Sequence, residues 1–328
     1  MSSMTTPIKL GYFGKVPSRG DFIKATDNSP LISLLDQWLA QTMDMLSADP
    51  RWKLIYDGMR PLHFVFMGPR SKRAIAGHLC ASTDMAQRRF PFLSMATMDV
   101  DHPVNFVKRS PMVLSRLWTR LEQHTAQVLS APDPALALQT LAATTVELEL
   151  NTTGYDAAFS DFLDMQTIAG LDALLAQSGF TGNVRQLVLA LGILLQPVMA
   201  SGSSRLEKSL VLPLPSDAMY RPLVASFWMH LIAPFLQRAD FELALFLASV
   251  HGKPSMVLGF SGASARTLHA IIDPTAGDEQ HITLDAADWI EEQLAGDYGA
   301  SKLSSYLALP NLSLKSAHDS FCEAFIGA

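Results

Sequence analysis

Two short apolar runs separated by a turn constrain the fold of this chain more than any other feature. Residues 62–67 read LHFVFM, residues 73–81 read RAIAGHLCA, and the turn sequence GPRS follows the first run. Runs of this length and composition predict strands, and a short Gly/Pro link between two of them predicts a β-hairpin. The sequence therefore predicts antiparallel pairing, with His63 and His78 facing each other across the two strands.

Strand and helix patterns alternate around this hairpin. Residues 31–46 place Leu and Trp side chains at helical spacing, which predicts an amphipathic helix before the hairpin. Further strands are predicted at residues 7–13, 92–98, 241–250 and 255–260. This order predicts an α+β fold in which an antiparallel sheet, or sheets, is flanked by helices in α/β/α-like layers.

The middle and the end of the chain are richer in helix patterns. Helices are predicted at residues 110–130 and 135–149, and residues 286–328 form a mainly helical tail. Both halves contain a helix followed by two strands, but no residue-level repeat supports a duplication. The predicted division is an N-terminal α/β module over residues 1–105 and a helix-rich second α/β module, with the tail, over residues 106–328.

Charge and hydropathy exclude two classes of partner. The chain has 25 Lys and Arg against 31 Asp and Glu, a formal net charge of −6. Because phosphate binding needs a basic surface, nucleic acid is not expected as the main partner. The longest apolar stretches, such as residues 187–199, are shorter than a membrane span, so the chain is not expected to be an integral membrane protein.

Cysteine usage and the N-terminus predict the compartment. Cys80 and Cys322 are far apart and stand in no metal-type spacing, as expected of thiols in a reducing compartment. Residues 1–9 lack the charged start and apolar run of a signal peptide. Charged residues make up only 17% of the chain, which favours either a large core or an apolar surface reserved for a protein partner.

The most distinctive motif is the run GYFGKVPSRGDF over residues 11–22. It is not a Walker A loop, because Lys9 stands where the first glycine is needed and Val16 stands where the hydroxyl is needed. Gly14 and Gly20 are expected to adopt positive φ, and Pro17 to stiffen the loop. We also expect Arg19 to pair with Asp21. The motif is either a structural connection between elements or a loop that contacts a partner.

A second motif, DMAQRRFPF over residues 84–92, joins the hairpin to the next strand. Asp84 is expected to form an ion pair with Arg88 or Arg89 inside this loop. Phe90 precedes Pro91, which favours an extended entry into the strand. Here too the sequence leaves loop architecture and partner contact as alternatives.

No pattern in the sequence predicts catalysis or a metal site. The nine histidines are scattered, and the two that face each other across the hairpin are too few ligands for zinc. The run Gly259-Phe-Ser-Gly-Ala263 lacks the spacing of a nucleophile elbow. We therefore expect no cofactor and no enzymatic activity. The alternative is an enzyme with an unrecognised site near His63, His78, Asp84 and Arg89.

The run GKVPSRGDF after a short strand resembles the N-terminal signature of the TagF/ImpM family of type VI secretion-associated proteins, usually written GKLPSRGDF. Trp38-Leu39, Trp52 and the run from Asp84 to Arg89-Phe90-Pro91 follow in the same order. The resemblance covers roughly residues 7–100. Val16 and Phe92 both stand where the family usually has Leu.

This resemblance implies a function. Family members are cytoplasmic post-translational repressors of type VI secretion that bind an FHA-domain scaffold protein, and no enzyme chemistry is attributed to them. A structural accessory subunit of the secretion machine is a further alternative. The residues expected to form the partner-binding motif are Gly14, Lys15, Pro17, Ser18, Arg19, Gly20, Asp21, Phe22, Asp84, Arg88, Arg89 and Phe90.

Overall fold

The computed structural model describes residues 5–26, 28–201, 206–237, 240–294 and 296–327. Residues 1–4 of the predicted N-terminal module and residue 328 of the predicted helical tail lie outside these ranges. The strands of the described residues are β1 (Thr6–Lys9), β2 (Gly11–Gly14), β3 (Ile23–Ala25), β4 (Leu62–Met67), β5 (Arg73–Cys80), β6 (Phe92–Asp99), β7 (Thr145–Leu148), β8 (Ser209–Pro213), β9 (Leu243–Val250), β10 (Lys253–Gly259) and β11 (His281–Thr283).

Helices connect these strands and also form most of the last third of the chain. They are α1 (Ser29–Ser47), α2 (Trp52–Asp57), α3 (Pro103–Ser130), α4 (Ala135–Ala143), α5 (Thr153–Met165), α6 (Ile168–Ala176), α7 (Val184–Ser201), α8 (Arg221–Leu236), α9 (Ala265–Ile272), α10 (Pro274–Gln280), α11 (Ile290–Leu294), α12 (Tyr298–Leu307) and α13 (Leu314–Phe325). Among the residues described, no helix combines the length and the apolar character needed to cross a membrane.

A nine-stranded sheet is the centre of the described structure. Its strand order is β11-β8-β10-β9-β4-β5-β6-β2-β3, and every neighbouring pair is antiparallel except β11 with β8. The predicted hairpin is confirmed as β4 and β5, with His63 opposite His78. Strands from both halves of the sequence meet where β4 pairs with β9, while the division into two modules at residue 105 stays a prediction.

Helices cover both faces of this sheet, because successive side chains of a strand point to opposite faces. In β4, Phe64 and Phe66 lie against Trp38 of α1, with ring centroids 5.3 and 4.9 Å apart. Val65, between them, belongs to the core cluster of the other face, which contains Trp118 of α3. The expected α+β fold with helices flanking an antiparallel sheet is confirmed.

Three element predictions are wrong in detail. Residues 7–13 form two strands rather than one, because the amide of Leu10 donates to the Thr144 carbonyl and the chain changes partner there, from β7 to β6. The helix predicted at residues 135–149 ends at Ala143, since the residues after it pair with β1 as β7. The helix predicted from residue 110 begins instead at Pro103, where a proline suits the first helical turn.

Candidate functional site

Both sequence motifs form loops at the same end of β2, β5 and β6. We call residues 15–22, between β2 and β3, the first loop, and residues 81–91, between β5 and β6, the second loop. Gly14, at the start of the first loop, has φ +132°, as predicted for this position. A β carbon on Gly14 would meet the Pro91 carbonyl and lie 2.8 Å from the Phe92 Cα, so only glycine fits here.

The second loop contains a tight turn. The amide of Asp84 donates to the Arg88 carbonyl at 3.1 Å, and the amide of Gln87 donates to the Asp84 carbonyl at 2.9 Å. Gln87 has φ +59°, in the left-handed region that non-glycine residues seldom adopt. These bonds hold the chain so that the Asp84 side chain points inward.

A buried ion pair joins the two loops. Lys15 Nζ lies 3.0 Å from Asp84 Oδ2, and Arg88 Nε lies 2.6 Å from the same oxygen. The amides of Ala86 and Arg88 donate to Asp84 Oδ1 at 3.0 and 2.9 Å. Because both oxygens accept hydrogen bonds, Asp84 is satisfied although it is fully buried.

Burial alone would raise the pKa of Asp84. The hydrogen bonds from the Arg88 amide, from Lys15 and from the Arg88 guanidinium outweigh that effect and hold the pKa well below its usual range. Asp84 is therefore a carboxylate at neutral pH. A carboxylate whose oxygens are occupied by the protein's own donors is suited to a structural role rather than to proton transfer.

Two further bonds connect the loop tips. The amide of Met85 donates to the Arg19 carbonyl at 2.9 Å, and Arg88 Nη2 donates to the Gly20 carbonyl at 2.8 Å. The first loop is thereby attached to the second at its middle as well as at its base. The prediction that Asp84 pairs with Arg88 or Arg89 is resolved in favour of Arg88.

Three phenylalanines close the space beside the ion pair. The rings of Phe13 and Phe22 are stacked with centroids 5.8 Å apart, and Phe90 meets Phe22 edge-on at 4.8 Å. Lys15 Nζ lies 4.9 Å from the centroid of the Phe22 ring, a cation–π distance. Phe90 is buried, whereas Phe22 covers Lys15 with one face and is partly exposed to solvent.

Arg89 serves a different contact. Its guanidinium binds both carboxylate oxygens of Asp57 at 2.8 and 2.6 Å and lies 5.9 Å from the Trp52 ring centroid. Nearby, the Tyr56 hydroxyl donates to the Ser82 carbonyl and accepts from the Ser82 amide, both at 2.9 Å. The second loop is thus fixed to α2 as well as to the first loop.

Two expectations for the first loop are wrong. Arg19 pairs with Asp133 at 3.3 Å, and no ion pair between Arg19 and Asp21 occurs in the part of the chain that the structure describes. Gly20 does not have positive φ, and a β carbon there would meet no atom within 4 Å. The exposed tip of the loop needs no special backbone, because Gly14 alone makes the reversal at its base.

The histidine pair of the hairpin lies apart from the loops. His63 Nδ1 and His78 Nδ1 are 3.0 Å apart, Cys80 Sγ is 3.3 Å from His78 Nε2, and the His63 ring stacks on Trp118 at 5.6 Å. Burial lowers the pKa of His63 to about 3 and that of His78 to about 4, so both are neutral near pH 7. Within the described ranges, no hydrogen bond or ion pair connects this pair to Asp84 or Arg89.

The described residues also bear on a metal site and on the Ser261 motif. Across the described residues, no three His, Cys, Asp or Glu side chains are grouped so as to hold a metal ion. A cleft of about 750 Å³ lies where the β4–β5 turn approaches the start of β9. Ser261, the serine of the run Gly259-Phe-Ser-Gly-Ala263, lines this cleft. No histidine is among the described residues that line it.

Sequence reasoning missed two participants in the loop assembly. Met85 is exposed at the tip of the second loop, and a large apolar residue in the middle of a polar turn was the signal for it. Asp133 contacts Arg19 from 114 positions away, and nothing local in the sequence indicates that contact.

Comparison with known proteins places both loops in one family domain. Residues 11–145 match the family model described as the TagF N-terminal domain, type VI secretion system-associated. The chain is also similar to the crystal structure of PA0076 from Pseudomonas aeruginosa PAO1, at 19% identity and a TM-score of 0.34. That match covers 41% of this chain and 61% of that chain. No curated protein matches the chain at a significant level.

Proposed function

By its N-terminal domain the chain belongs to the TagF family of type VI secretion system-associated proteins, and from this we propose that it is a cytoplasmic, non-catalytic repressor of such a system. It acts after translation by binding the FHA-domain scaffold protein of the apparatus. Binding withholds the scaffold from assembly, so secretion falls when this protein is abundant.

The observation that carries this proposal is the position of the two motifs within the matched domain. Both loops lie between residues 11 and 145, and they are joined by a buried ion pair that holds exposed side chains in a fixed arrangement. A rigid surface suits a binding protein, because little conformational entropy is lost when the complex forms.

The surroundings of the titratable groups also favour binding over turnover. A general acid or base is most effective when its pKa lies near the working pH. His63 and His78 have pKa values of about 3 and about 4, and the carboxylate oxygens of Asp84 are occupied by donors of the protein itself. None of these groups is poised to exchange protons near neutral pH.

The proposal is tested by measuring type VI secretion in the host that encodes this chain. Deleting the gene should raise the amount of secreted apparatus protein, and overproducing the chain should lower it without changing the cellular level of that protein. The scaffold should co-purify with the overproduced chain. Unchanged secretion in both strains would contradict the repressor role.

A further inference from the structure

The outer surface of the joined loops includes four large exposed side chains, which lie beside smaller or polar exposed residues such as Asp21 and Gln87. The four are Arg19 and Phe22 of the first loop and Met85 and Arg88 of the second, and together we call them the loop crest. Phe22 is 46% exposed and Met85 is 68% exposed. The side chains of Arg19 and Arg88 are 46% and 62% exposed.

Two hydrogen bonds tie together the loops that carry the crest. The Met85 amide donates to the Arg19 carbonyl, and the Arg88 guanidinium donates to the Gly20 carbonyl, next to Arg19. Phe22 follows two positions later and packs on buried Phe90. The four side chains therefore project from loops that cannot move independently of each other.

The four crest side chains are of types that protein interfaces favour. Aromatic residues, Met and Arg are enriched at the centres of protein interfaces, whereas Lys, Glu, Asp and Ser are depleted. The exposed part of Met85 adds little to the stability of the loop, since its apolar surface remains in water. Phe22 and Met85 lie on loops that are tied together, so a partner that contacts both would remove apolar surface from water.

The charges of the crest favour an acidic partner. Arg88 uses Nε and Nη2 within the loops, and its side chain remains largely exposed. Arg19 makes one exposed contact, with Asp133, at 3.3 Å. Against these two guanidinium groups the first loop has one exposed carboxylate, Asp21, and the second loop has none, because Asp84 is buried.

We infer that the loop crest is the docking surface for an apolar pocket rimmed by carboxylates on the FHA-domain scaffold. Met85 enters the pocket and the exposed part of Phe22 lies at its mouth, while Arg19 and Arg88 meet the carboxylates at its rim. The inference rests on the proposed function, which supplies the scaffold as the partner. By this inference the four crest residues contact the partner. Gly14, Lys15 and Asp84 are buried and hold the loops in position.

Titration of the full chain with the purified scaffold protein tests this surface. Met85→Ser should weaken binding at least about tenfold, as truncation of a central apolar anchor does. The matched control is Met165→Ser, because Met165 is 83% exposed at the end of α5, outside the loops. The control should bind as tightly as the unaltered chain.

A second pair of variants tests the charges. Arg19→Gln should slow association several-fold and make it less sensitive to salt, because steering by a rim charge acts on the association rate. Its control is Arg73→Gln, since Arg73 also forms one exposed ion pair, with Asp99 at 3.5 Å. Circular dichroism and thermal melting should show that all four variants are folded.

The outcomes separate the inference from the function on which it rests. If the unaltered chain binds and both crest variants bind equally well, the crest is not the docking surface, although the proposed function stands. If the unaltered chain does not bind the scaffold, both are overturned. Loss of binding in the two crest variants, with both controls unaffected, supports the inference.

Discussion

Lys15 and Asp84 are 69 positions apart in sequence, yet Lys15 Nζ lies 3.0 Å from Asp84 Oδ2 in a buried ion pair between the two loops. Lys15 belongs to the first motif and Asp84 to the second, so the bond joins two segments that are distant in sequence. The pair therefore makes the placement of each loop depend on the other.

Replacing Lys15 tests this dependence. Lys15→Met leaves the buried Asp84 carboxylate with Arg88 and two amides but without its ammonium partner, which is unfavourable for an enclosed charge. We expect a lower melting temperature in thermal unfolding. Lys24→Met is the control, because Lys24 is exposed, and it should melt like the unaltered chain. Equal melting of the two variants would contradict a structural role for the pair.

Two glycines of the first motif should respond differently to the same substitution. Gly14→Ala adds a β carbon against the Pro91 carbonyl at φ +132°, which should cost roughly 2–4 kcal/mol of unfolding free energy. Gly20→Ala meets no atom within 4 Å and should change stability by less than about 0.5 kcal/mol. Urea denaturation measures both, and a tolerated Gly14→Ala would show that the base of the loop is not packed as described.

Tyr56→Phe should loosen the second loop. The hydroxyl both donates to the Ser82 carbonyl and accepts from the Ser82 amide, and both Ser82 groups lie in a buried setting. Removing it leaves the buried Ser82 amide without a partner, a cost of roughly 1–3 kcal/mol, whereas the Ser82 carbonyl still accepts from the Phe90 amide at 3.1 Å. Chemical denaturation checks the magnitude, and faster amide hydrogen exchange at residues 82–90 should accompany it. A variant as stable as the unaltered chain would contradict this account of the Tyr56 hydroxyl.

Stability should fall as the pH is lowered through the range in which unfolded histidines gain protons. The folded pKa values of His63 and His78, about 3 and about 4, lie below the ordinary value of 6.5, so the unfolded state binds more protons between these values. The stabilisation is fully present above about pH 6.5 and is lost towards pH 4. Each histidine should cost roughly 2 kcal/mol between pH 7 and pH 5.

Comparing urea unfolding at pH 7 and pH 5 measures this loss. His230 has a pKa lowered by burial to about 2 and contributes in the same direction, so a single variant is needed to assign a share. His78→Gln should reduce the loss between the two pH values by the share of one histidine. A loss as large as that of the unaltered chain would show that His78 is not buried in its neutral form.

The local parts of this structure were predictable from sequence, and the long-range ones were not. The β4–β5 hairpin and the opposition of His63 and His78 follow from two strand patterns and one turn, all within twenty residues or so. The positive φ of Gly14 follows from its place at the end of a strand. Such features depend on neighbours in the chain.

Contacts between distant segments decide the rest. Residues 145–148 continue an apolar pattern that suits a helix, but their pairing with β1 overrides the local preference and produces β7. Arg88 rather than Arg89 reaches Asp84, because the turn at Gln87 directs the two side chains differently, towards Asp84 and towards Asp57. The partner of Arg19, Asp133, lies in the link between α3 and α4, which no local pattern connects to the first loop.

Calorimetric titration of the unaltered chain with the FHA-domain scaffold protein of the type VI secretion system measures directly whether the two proteins bind. We expect a saturable complex of fixed stoichiometry whose affinity decreases as salt is added, because the proposed contact includes arginines. Absence of binding heat at micromolar concentrations of both folded proteins, together with no co-elution in gel filtration, would contradict it.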